Sequence, residues 1–227
     1  RSAGVLVAFS TPGGGLVSGM SSALSLEGWT WEEMSMESAA ALNVNWPNPN
    51  PRRFRGFGGF GQQDEDPPTY EEQVQQLKDF FSEARAYKAA VDAGEEIRTD
   101  SRYAAMMPVF DGGIPVVVAA DGAGQINDAV TWALEEELRV VIRGGRDAIH
   151  VADRLAANDI PVILTSTMAA PDRDYEGYDG AYSMPARLHQ AGVRFAISGG
   201  AGSRYPDQVT WGAGDRVSVG YAEGEAL

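Results

Sequence analysis

An incomplete (β/α)8 barrel of the TIM type, within the α/β class, is the fold this sequence predicts, and three observations predict it. Four short apolar runs, at 114–119, 139–142, 160–164 and 193–198, are rich in β-branched residues and each is followed by a polar or Gly-rich turn. Runs of that kind mark parallel strands covered on both faces, where alternation disappears. Amphipathic segments separate them: 125–137 gathers Ile126, Ala129, Val130, Ala133 and Leu134 on one face, and 148–157 gathers Ile149, Val151, Ala152 and Leu155. A third helix, 184–191, ends at Gly192, where a left-handed C-cap belongs. Seven candidate strands begin near residues 5, 23, 40, 114, 139, 161 and 193, one short of a closed barrel. The first strand and the last helix are therefore expected outside the chain.

In chain order, Val5-Leu6-Val7-Ala8-Phe9 reads as the opening strand and feeds a loop holding Gly13, Gly14 and Gly15. Backbone N–H groups in such a loop suit a phosphate. This one has neither the Lys of a P-loop nor the spacing of a dinucleotide fingerprint, so a tight rim turn is expected and phosphate binding is the minor alternative. The strand near Val5 is expected to lie parallel to, and near, the strand near Leu24. The aromatic Gly28-Trp29-Thr30-Trp31 follows, then a strand over 41–46 that Pro47 stops, having no N–H to donate. Residues 47–69 form a long insertion, in which Arg52, Arg53, Arg55, Phe57 and Phe60 read either as a lid over a pocket or as a surface excursion. Thr69 with Glu72 makes a capping box that opens a helix over 70–93, with Val74, Leu77, Phe81, Ala84 and Val91 facing the core and Gly94 at its end. A helix over 101–110 delivers the chain to the strand at Ile114. Residues 1–227 thus read as a single barrel domain.

Composition narrows the partners. The 227 residues include 32 acidic against 18 basic side chains, a formal charge of −14 that disfavours nucleic acid and anionic membrane surfaces. There is no Cys, which excludes disulfides and Cys-ligated metals and leaves the compartment open between cytoplasm and periplasm. No apolar run reaches transmembrane length, and the first stretch does not read as a signal peptide. A small-molecule substrate or ligand is the expected partner, with a homo-oligomer or a paralogue as the protein partner.

Several stretches together carry a family resemblance: Gly28-Trp29-Thr30-Trp31-Glu32-Glu33-Met34, Asn43-Val44-Asn45-Trp46-Pro47, Ile114-Pro115-Val116-Val117-Val118, Gly144-Gly145-Arg146-Asp147-Ala148, Ile160-Pro161-Val162-Ile163, and Ala191-Gly192-Val193-Arg194-Phe195-Ala196-Ile197-Ser198. In order and spacing the chain resembles the imidazolonepropionase-like branch of the amidohydrolase superfamily. The resemblance implies metal-assisted hydrolysis of C–N bonds, with Zn or another divalent metal activating a water. It also implies His ligands from the first, fifth and sixth strands and an Asp from the eighth. At the matched positions this chain has Ala119, Gly144 and Gly200 (or Gly199), none of which ligates a metal through its side chain. Its two histidines, His150 and His189, fall in outer helices, as do Lys78 and Lys88. No metal ligand and no cofactor is therefore expected from this chain itself.

Polar residues do collect at the expected strand ends: Asn45, Asp121, Arg143, Arg146, Thr165, Ser166, Thr167, Ser198 and Ser203. Asp121 is the candidate catalytic residue, as acid, base or hydrogen-bond acceptor, or else the cap of the next helix. Arg143 either holds a substrate carboxylate bidentately or pairs with Asp121 or Asp147. Asn45, Thr165, Ser166 and Ser198 complete the candidate substrate-binding set, and no His lies near the hydroxyls to activate one. The acidic, aromatic loop over 171–179 reads as a rim or a solvated loop. Two functions stay open: an amidohydrolase-like hydrolase of peptide-like or non-peptide C–N bonds, or a metal-free relative that binds a small ligand or partners an active paralogue.

Overall fold

A computed structural model describes residues 5–49, 68–165, 167 and 180–198. Seven strands form one curled half-barrel sheet in sequential order: β1 Val7–Ser10, β2 Val17–Ser25, β3 Ser35–Asn45, β4 Val116–Ala120, β5 Val140–Gly144, β6 Val162–Leu164 and β7 Phe195–Ile197. From β3 to β7 every neighbour is parallel. The intervening helices are α2 Tyr70–Asp92, α3 Ser101–Phe110, α4 Ala123–Glu135, a 3-10 turn Ala148–Val151 leading into α5 Ala152–Ala157, and α6 Gly180–Gln190. A one-turn α1, Trp31–Met34, sits between β2 and β3.

The first two strands run the other way from expectation. Ala8 lies opposite Leu24 in an antiparallel pair, and β2 is antiparallel to β3 as well. Link length is the reason. Parallel neighbours need a crossover of about a dozen residues or more, and residues 11–16 and 26–34 are too few. The expected parallel arrangement of these strands is thereby overturned, and β1 is an exposed edge with Phe9 65% accessible.

Burial alternates along the parallel strands. Val116, Val118 and Ala120 on β4, Val140 and Ile142 on β5, and Val162 and Leu164 on β6 are buried against the helices. Val117, Ala119, Val141, Arg143 and Ile163 point to the other face and are only partly covered. Strands that read as uniformly apolar therefore have a filled outer side and an accessible inner one. On the outer side Phe81 of α2 meets Trp132 of α4 edge to face at 4.8 Å, and Trp132 meets Trp46 at 5.6 Å.

Helix ends follow the sequence signals. Thr69 and Glu72 form the reciprocal capping box that opens α2, and Gly94 and Gly192 take the left-handed conformation past α2 and α6. Two expected core residues are not core: Val91 and Leu134, near the ends of α2 and α4, are 37% and 47% exposed. Most of the 47–69 insertion, residues 50–67, and the 171–179 loop lie outside the described residues.

Candidate functional site

Strand register builds the site. Asn45 pairs with Ala119, Ala119 with Arg143, Arg143 with Ile163, and Ile163 with Ala196. Registered neighbours point to the same face of a sheet, so Asn45 and Arg143 share the inner row at the C-terminal ends of the parallel strands. Just beyond it come Asp121, one residue past β4, and Thr165, one past β6. Ser198, one past β7, donates its backbone N–H to the Leu164 carbonyl at 2.8 Å. Five of the six residues singled out from the sequence thus collect at one mouth; Ser166 lies outside the described residues, as do Gly199, Gly200 and Ser203.

Their states differ. Arg143 is half-buried, and its guanidinium makes no hydrogen bond or ion pair among the described residues. Neither alternative pairing occurs: Asp121 is not its partner, and Asp147 instead faces the Arg146 guanidinium at 4.0 Å. Asp121 is exposed and its carboxylate lies over the Cα of Gly144. A Cβ placed on Gly144 would come within 2.5 Å of Asp121 Oδ1. Asp121 does not cap α4. The N-cap of that helix is Gly122, whose N–H donates to Gln125 Oε1 at 3.1 Å, while the Ala123 N–H points at Asp147 Oδ2 at 3.4 Å.

Asn45 is less available than the sequence implied. Its Nδ2 donates to the Gly15 carbonyl at 2.8 Å and to Ser18 Oγ at 2.9 Å, which leaves only Oδ1 for a ligand. The same bonds explain the Gly13–Gly15 loop: Gly14 and Gly15 have positive φ, and their carbonyls accept from Ser18 and Asn45. That is a turn built to receive donors, as the rim-turn reading expects. Asp147, only 6% exposed, was missed as a mouth residue. Its place directly after Gly144-Gly145-Arg146 was the available signal.

A metal centre of the kind the resemblance implies needs donors that converge on one point. Ala119 and Gly144 offer no donor, Asn45 brings only a neutral amide oxygen, and no group of three His, Asp or Glu among the described residues converges on one point. His150 and His189 sit in the 3-10 turn and in α6, outside the mouth. Lys78 and Lys88, both on α2, pair with Glu135 of α4 and with Asp92. The donors among the described residues do not fit a site of three or four ligands. A cleft of about 560 Å3 does open, but on the far side, between β2 and helices α2 and α3. Its lining, including Met20, Leu77, Phe80 and Met106, is mostly apolar, and its one charged residue, Arg102, is paired with Asp100 at 2.7 Å.

Fold and site together define an α/β half-barrel with its free polar groups at the C-terminal strand ends, where barrels of this class carry their chemistry. No protein-family model and no curated protein matches the sequence. The fold matches the crystal structure of an amidohydrolase from Thermotoga maritima, with a TM-score of 0.82 and 23% identity. That superposition takes in 99% of this chain and 58% of the other, so the chain spans little more than half of that structure's length. The likeness shows a shared fold. No described helix is long and apolar enough to cross a membrane.

Proposed function

We propose that the chain is the barrel portion of an amidohydrolase-like hydrolase that cleaves amide-type C–N bonds in small molecules, of the imidazolonepropionase-like branch, with (β/α)8 closure supplied by segments beyond it. The observation that carries this reading is the convergence of Asn45, Asp121, Arg143, Thr165 and Ser198 on one mouth of a fold shared with an amidohydrolase. In it Asp121 takes a proton from the water that attacks the carbonyl carbon. The same proton passes to the leaving nitrogen as the C–N bond breaks, yielding an acid and an amine. Arg143, Asn45 Oδ1 and the Thr165, Ser166 and Ser198 hydroxyls hold the substrate.

A second reading, a metal-free relative that binds a ligand without turning it over or partners an active paralogue, is favoured by Ala119 and Gly144 standing where the resemblance would place ligands. Assay of the full-length protein against acylated amino acids and lactams, with and without added Zn or Mn, separates the two. Amine release abolished by Asp121→Ala supports the hydrolase. Tight binding with no release under either condition supports the second reading.

A further inference from the structure

Two opposite charges at the ends of adjacent strands stand at the mouth without pairing with each other. The Arg143 guanidinium, in the inner row of β5, has no partner among the described residues. The carboxylate over the neighbouring Gly144 belongs to Asp121, which likewise has no side-chain partner among the described residues. Half-buried guanidinium groups usually find a carboxylate, because removing a charge from water is costly. Here two carboxylates are at hand, and one is committed elsewhere: Asp147 faces Arg146 and the N-terminus of α4. Arg143 is in register with Ala119 of the neighbouring β4, a strand spacing of about 4.8 Å away, and Asp121 follows Ala119 by two residues, just past the end of that strand. A ligand lying across β4 and β5 meets a bidentate cation on one side and an acceptor on the other.

We propose that the mouth recognises a small molecule carrying a carboxylate beside an N–H donor, as in an N-acylated amino acid, with Arg143 receiving the carboxylate and Asp121 the N–H, and that it does so without a metal ion. This rests on the mouth named in the proposed function and specifies its ligand. The guanidinium supplies the positive charge that a divalent ion would otherwise bring. A ligating side chain in place of Gly144 would be held in a strained backbone conformation, because φ there is +105°. A bare anion such as phosphate would face Asp121 with like charge, so the N–H is part of the recognition and not an accessory.

The test is calorimetric and NMR titration of the full chain, in excess EDTA, with three probes: N-acetylglycine, its amide (no carboxylate) and N-acetylsarcosine (no N–H). N-acetylglycine is expected to bind about 10–100-fold more tightly than either relative, the ratio one charge-assisted hydrogen-bonded contact provides. Arg143→Met removes the preference over the amide, and Arg143→Lys, which keeps the charge but not the fork, recovers part of it. Asp121→Ala removes the preference over N-acetylsarcosine alone. Circular dichroism confirms that each variant folds. Absence of binding, binding that appears only when Zn or Mn replaces EDTA, or equal affinity of wild type and Arg143→Met overturns the proposal. Amine release is followed in parallel, in EDTA and with Zn or Mn added: binding without release under either condition defeats the hydrolase reading and leaves the recognition intact, whereas release without dependence on Arg143 does the reverse.

Discussion

Replacing Gly144 with alanine perturbs a backbone position on which the mouth geometry depends. Gly144 has φ of +105°, and an added Cβ would lie 2.5 Å from Asp121 Oδ1, 3.1 Å from Asp121 Cγ and 3.2 Å from the Ala120 carbonyl oxygen. Two effects compete for the larger share. Holding an L-residue at that φ costs of order 1–3 kcal/mol, and no side-chain movement relieves it. The contact with Asp121 is closer, but it involves the end of an exposed side chain that rotates away at a cost of about 1 kcal/mol. Backbone strain therefore dominates. Gly144→Ala should lower stability by about 1–3 kcal/mol, a fall in Tm of roughly 2–12 °C for a chain of this size. A thermodynamic cycle in urea measures this directly. Adding Asp121→Ala should return less than about 1 kcal/mol, because the φ strain and the Ala120 contact remain. A neutral Gly144→Ala variant, or full recovery in the double variant, would refute the reasoning.

Three further outcomes follow from the packed side of the sheet. Phe81→Ala empties the aromatic junction with Trp132 and Phe110 and should cost about 3–5 kcal/mol in urea unfolding; a loss below about 2 kcal/mol would mean the α2–α4 junction is not core. Thr69→Ala removes the capping box of α2 and should cost about 1 kcal/mol, read as a shift in urea midpoint without a change in slope. Burial, then the hydrogen bond to Asp128, pushes the Tyr70 hydroxyl up to about 12 from an ordinary 10.0. Its protonated form is the one the folded state favours, so this contribution is intact below pH 10 and is lost as pH rises toward 12. Urea midpoints for wild type should fall across that window, and those for Tyr70→Phe should fall less; equal slopes would sink the assignment.

The parallel part of the fold was legible because β-branched runs and amphipathic segments alternate at short range. Composition alone could not orient the first strands. Val7 to Ser10 is apolar enough to pass for a buried parallel strand, yet it is an edge, and only the shortness of residues 11–16 betrays the antiparallel turn. The site was legible as a set of strand-end residues, since β3 to β6 end where the turns begin. Which of them are free was not legible. Asn45 is held by Gly15 and Ser18, which lie 30 and 27 positions earlier. Asp147, not Asp121, reaches the N-terminus of α4. Both facts depend on register between strands, which no local pattern encodes. The resemblance to amidohydrolases foresaw the fold that the Thermotoga maritima structure shares, while the branch, the substrate and the reaction rest on the experiments above.

Amide chemical-shift mapping of the full chain during titration with N-acetylglycine addresses the central claim most directly, because it asks where a ligand sits before asking what becomes of it. The account predicts perturbations concentrated at Asn45, Ala119, Asp121, Arg143, Gly144, Thr165 and Ser198, the C-terminal ends of β3 to β7. Perturbations confined to the Gly13–Gly15 turn, or to the apolar cleft lined by Met20, Leu77 and Phe80, would contradict it.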